Sequence, residues 1–118
     1  MAGQKTASTN DASPAGFGAW LRCLREEKEA AIRNMAAAAD MDSSHLGKVE
    51  RGGRLPTLEQ ALAFARFLGM AEEEMRDRFY AAKMWLACDG NAATVARAAP
   101  RVQEHAAAYL VNNRANKK

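Results

Sequence analysis

The chain has 118 residues and a net charge of +3, a length that accommodates one small domain with extensions and excludes a separate effector or ligand-sensing domain beside it. Residues 17–85 carry eleven Lys or Arg against eleven Asp or Glu, whereas residues 86–118 carry five against two. Affinity for a polyanion therefore has to come from a local basic face, because the bulk charge of the central region does not supply it.

Alanine is abundant, β-branched residues are few and no segment alternates apolar with polar residues, so the expected fold class is all-α. Cys23 and Cys88 form no CxxC and have no His cluster at metal spacing. Both read as reduced thiols of a cytoplasmic protein, with no metal or other cofactor implied. The N-terminus lacks an apolar leader core and the apolar runs are too short for a membrane span.

Residues 1–15, rich in Ala, Ser, Thr and Gly without an apolar anchor, are expected to be disordered. Phe17, Trp20, Leu21 and Leu24 then form an i, i+3, i+4, i+7 stripe that marks the first helix. Trp20 on this stripe is either core or an exposed contact. A second helix follows in IRNMAAAADM, residues 32–41, with Met35 and Ala39 on one face.

Residues 42–52, DSSHLGKVERG, read as a third helix with two faces. Leu46 and Val49 point one way, while Ser44, Gly47, Lys48 and Arg51 lie opposite. Asp42 is placed to cap its start, and Gly52 to leave it through positive φ. Such a helix lies against a buried partner and presents short polar and cationic side chains outward, as a reader of the DNA major groove does.

A fourth helix spans residues 57–68, with Leu58, Ala61, Leu62, Ala65 and Leu68 inward and Gly69 as its stop. A fifth begins at Ala71 or Glu72, with an acidic first turn that suits the helix dipole and Met75, Phe79, Met84 and Trp85 as its apolar side. Asp89, Gly90 and Asn91 break the chain. Beyond them the sequence predicts a short helix over residues 92–99, an interruption at Pro100, and a last helix over residues 101–113 with Val102, Ala106, Tyr109 and Leu110 along one side.

Residues 17 to about 70 resemble the Xre-like helix-turn-helix domains of the Cro and phage-repressor type. The resemblance is carried by Phe17, Leu21, Leu24 and Arg25, then Met35 and Ala36, then Leu46, Val49, Glu50, Arg51 and Gly52, then Arg54, Pro56, Leu58 and Leu62. It implies a five-helix lambda-repressor-like domain over residues 16–86. The helical extension and basic tail over residues 87–118 lie outside the resemblance, and three readings compete for them: packing on the domain, a dimer arm, or a basic tail that touches the DNA backbone. The resemblance also implies a transcriptional regulator, most often a repressor, that binds double-stranded DNA as a homodimer; residues after Asp89, outside the resemblance, are the expected contributors to the dimer, since their apolar stripe needs a partner.

The family's positions fall on Ser43, Ser44 and Lys48 for base edges, His45 for a base or nearby phosphate, and Arg54 for a phosphate. They also imply a structural ion pair between Arg25 and Glu50. The chain departs from the pattern at residues 29–32, where Glu-Ala-Ala-Ile replaces the usual turn glycine and the Gln that commonly contacts phosphate. Arg33 is the candidate substitute, and a solvated helix-face arginine is its plain alternative. Ser43 and Ser44 could equally serve first-turn chemistry, and Lys48 could be a solvated cation. No nucleophile–His pair, paired acids or phosphate-cradling loop supports an enzyme. The second functional class is a protein-interaction or antitoxin-type module on the same fold.

Overall fold

The computed structural model describes residues 11–116. Among them lie six helices and no strand: α1 Pro14–Glu27, α2 Ile32–Ala38, α3 Ser43–Glu50, α4 Leu58–Leu68, α5 Glu72–Ala87 and α6 Ala92–Asn116. The fold is all-α. Each helix starts or stops where local chemistry satisfies its end groups.

The segment expected to be disordered lies largely outside the described residues, but its end needs correction. α1 begins at Pro14, because the Ser13 hydroxyl accepts the Gly16 N–H at 3.2 Å and a proline in the first turn loses no helical hydrogen bond. For α3, the Asp42 carboxylate accepts the His45 N–H at 2.8 Å. α4 carries a complete capping box between Thr57 and Gln60 and ends at left-handed Gly69.

The core gathers Phe17, Trp20 and Leu21 of α1, Met35 and Ala36 of α2, Leu46 and Val49 of α3, and the inner faces of α4 and α5. Fully buried side chains such as Leu21, Leu46 and Val49 each contribute on the order of 1.5–3 kcal/mol. Trp20 is core, stacked obliquely on Phe17 at 5.9 Å and covered by the Arg78 guanidinium at 4.6 Å from its ring centre. On α4 the buried face includes Phe64, with Leu58 and Leu62 only half-buried. The stripe is therefore rotated from the predicted one. On α5, Ala82 joins Met75 and Phe79 in the core while Met84 is exposed.

Residues 92–116 form one helix running through Pro100, which corrects the predicted interruption. A proline inside a helix removes its own N–H bond and crowds the carbonyl four residues back, at a cost of about 3 kcal/mol. Here the alanine-rich segments on both sides sustain the helix across that gap. The helix start is fixed by Asn91, whose side-chain oxygen accepts the Thr94 N–H at 2.9 Å.

Candidate nucleic-acid interface

α2 and α3 are joined by residues 39–42, with Asp40 in the left-handed region at φ 59° and the Met41 N–H returning to the Ala36 carbonyl at 3.0 Å. A left-handed residue reverses the chain within so few positions, and aspartate tolerates that conformation better than most side chains. Glu29 does the same between α1 and α2, at φ 55°, so the missing turn glycine is replaced by a glutamate in the conformation glycine favours. α3 ends with Gly52 at φ 83°, its N–H bonded to the Val49 carbonyl and that of Gly53 to the Lys48 carbonyl.

Arg25 and Glu50, the pair expected to link the first and third helices, meet in a two-point salt bridge. Arg25 Nε donates to Glu50 Oε2 at 2.7 Å and its second terminal nitrogen to Oε1 at 3.0 Å, while the remaining one donates to the Ala30 carbonyl at 3.0 Å. The two side chains are 13% and 5% exposed. The hydrogen bonds to Glu50 hold the guanidinium pKa above its ordinary value despite burial, which acts the other way. One arginine thus ties α1, the turn before α2 and the end of α3 together.

Gly18 completes this joint. A Cβ there would run into the backbone of Val49 and Glu50, so α1 crosses the end of α3 at a separation that only glycine allows. The sequence reading passed over Gly18. An isolated glycine inside an amphipathic helix was the signal that could have marked it.

With Leu46 and Val49 fully buried, helix phase carries Ser44, Lys48 and Arg51 to the opposite side, and all three are exposed. Ser43 and His45 lie half-buried on the two flanks. His45 differs from expectation. Its Nε2 is enclosed with no hydrogen-bond partner, because helix phase sets this residue beside Val49 and away from the outer ridge. Arg33 on α2 and Arg54 in the loop after α3 are exposed. The salt bridges among the described residues engage Arg22, Arg25 and Arg66, and take up none of Arg33, Lys48, Arg51 or Arg54.

The Arg51 side chain folds back along α3, its guanidinium 3.1 Å from where a Cβ of Gly47 would sit. Since that neighbour is the far end of a flexible exposed chain, Gly47→Ala is expected to displace it and stabilise the domain by about 0.5–1 kcal/mol through helix propensity. Thermal unfolding checks this. A lowered midpoint would mean that Arg51 cannot move aside.

A two-helix unit with a tight turn, braced by α1 and α4 and showing a polar face on its second helix, is a helix-turn-helix domain. The sequence profile of the helix-turn-helix domain family matches residues 17–79, more than half of the chain, and the chain belongs to this family of Xre-like domains. The family points in general terms to a DNA-binding regulator. Neither the curated proteins nor the solved structures gave a match. Among the described residues no helix is long and apolar enough to cross a membrane, and no group of three or more His, Cys, Asp or Glu is placed to hold a metal ion. Cys23 and Cys88 form no disulfide among the described residues.

Proposed function

We propose that this protein is a non-enzymatic, sequence-specific transcriptional regulator, a repressor, that acts in the cytoplasm as a homodimer and lays α3 in the DNA major groove. The reading rests on one observation: α3 and its C-cap expose Ser44, Lys48 and Arg51 on a single face, with no carboxylate among the described residues bonded to either cation. Cations held free of internal ion pairs are available to phosphates and to the acceptor edges of guanine. In this reading Ser43, Ser44 and Lys48 meet base edges, while Arg33, Arg51 and Arg54 engage phosphates. A dimer follows from the shortness of α3, which spans few base pairs, so that two half-sites about one DNA turn apart supply affinity.

Selecting bound duplexes from a random pool tests the reading, and an unenriched pool would overturn it. Lys48→Ala is then expected to weaken the selected site by roughly 1–3 kcal/mol and to flatten preference at one base position. Arg54→Ala, outside the helix, should weaken selected and scrambled duplexes alike and reduce the salt slope by about one. Titrating both variants at several salt concentrations separates these effects. If neither changes DNA affinity, the groove-reading assignment fails and a protein-binding module becomes the better account.

A further inference from the structure

α6 is an arm whose apolar face is covered at one end only. It is 25 residues long, or about 37 Å. Helical phase puts Val95, Ala98, Ala99, Val102, Ala106, Tyr109, Leu110 and Asn113 on one face, with Arg97, Arg101 and Glu104 on the other. The first part of that face, as far as Val102 at its rim, lines a wholly apolar groove of about 130 Å³ with Met84 and Ala87 of α5 and the adjoining Cys88. The second part overhangs the body: Val102, Tyr109 and Leu110 are 59%, 56% and 59% exposed.

We infer that a second copy of this chain covers the overhang, with the two α6 helices antiparallel and Tyr109 and Leu110 of each seated at the α5–α6 groove of the other. The inference specifies the surface of the homodimer proposed above. A two-fold axis beside Glu104 sets Ala99 opposite Tyr109, Ala98 opposite Leu110 and Val102 opposite Ala106. Each large side chain then faces a small one, as interdigitating helices require, and the match is self-complementary, as a two-fold interface demands. The groove is close to the ~150 Å³ of an apolar cavity that admits benzene, so a tyrosine ring fits it.

Charge agrees with this occupant. A basic chain meeting its own copy would repel if cations lay on the seam, and the stripe carries none. Area agrees as well. Tyr80 and Met84, one turn apart on α5, are also about half exposed, and with the three large arm residues they offer on the order of 400 Å² per protomer. The alanines between them extend this toward the ~800 Å² per partner of a stable interface.

The test is made on the full chain without DNA, so that its outcome is independent of groove reading. Sedimentation at micromolar concentration is expected to show a dimer. Val102→Glu and Tyr109→Glu should each weaken self-association by at least about a hundredfold, the effect of burying an unpaired charge, with helical circular dichroism unchanged because both residues are exposed in the single chain. Tyr109→Cys should form, under mild oxidation, a disulfide to Cys88 of the partner subunit that Cys88→Ser abolishes. It cannot reach its own Cys88, since Tyr109 lies about 21 Å along α6 from Val95 and a disulfide needs Cα atoms within about 7 Å. A monomeric wild type, a dimer indifferent to both glutamate variants, or a crosslink that survives Cys88→Ser would each overturn the inference. A dimer disrupted by those variants that binds no duplex upholds this surface while defeating the DNA reading.

Discussion

Replacing Glu50 with alanine is expected to destabilise the domain by about 3–5 kcal/mol, the range for breaking a buried ion pair from one side. The magnitude follows from what remains. Arg25 keeps its charge and only one acceptor, the Ala30 carbonyl, in surroundings that leave it 13% exposed. Against a typical stability of about 5–15 kcal/mol for a whole domain, such a loss leaves little margin. Replacing both residues with methionine should cost less than removing either alone, because the desolvation of both charges disappears with them. Urea unfolding of the two single variants and the double variant checks the ordering. A Glu50→Ala loss below about 1 kcal/mol would place the pair among exposed bridges.

The pH behaviour has a definite sign. The folded-state pKa of Arg25 is raised by Glu50, so its share of stability is fully present below the unfolded value and is lost only as pH rises through the folded one. That window lies in strong alkali, and titration of Arg25 gives no pH dependence near neutrality.

Gly18→Ala is expected to destabilise the domain by about 1–3 kcal/mol, against a helix-propensity gain of about 1 kcal/mol in the other direction. The added methyl meets the Val49 carbonyl oxygen and lies 2.6 Å from that of Glu50. Backbone does not swing aside as the end of an arginine does, so relief requires α1 to move away from α3, loosening the Arg25–Glu50 bridge beside it. Gly18 and Gly47 therefore respond in opposite directions to the same substitution in the same domain. Thermal unfolding of the two variants in parallel checks the contrast, and a neutral or stabilising Gly18→Ala would mean that the crossing is looser than the backbone contact implies.

The elements most legible in the sequence are those whose signal is periodic and local. Phe17, Trp20 and Leu21 declare the buried face of α1, and Leu46 with Val49 declares that of α3, because helical phase alone decides which residues share a side. The outward setting of Ser44 and Lys48 follows from the same phase. What escaped depends on contacts between elements or on competition within one. Gly18 acquires meaning only when α3 lies across it. Phe64 is buried because α5 and α2 together rotate the inner face of α4. Pro100 pits one lost hydrogen bond against a long alanine-rich helix, and the helix prevails. Ser13 and Pro14 were a readable start, obscured by the low complexity around them. Glu29 occupies a conformation that composition disfavours, held by the elements on either side. His45 shows the limit of phase arguments: residues on the flank of a helix are assigned by their neighbours.

The uneven attachment of α6 bears on the timescales over which different parts of the chain open. Amides near the Arg25–Glu50 joint are tied to three elements at once, so their exchange with solvent requires disruption of the whole head. Those of α6 beyond Pro100, in a single chain, are protected by helical hydrogen bonds alone and open by fraying at far lower free energy. Pro100 marks where the two regimes adjoin, since it supplies no N–H to couple one turn to the turn before it. The molecule is thus kinetically two-tiered, a slow-opening head carrying a fast-opening arm.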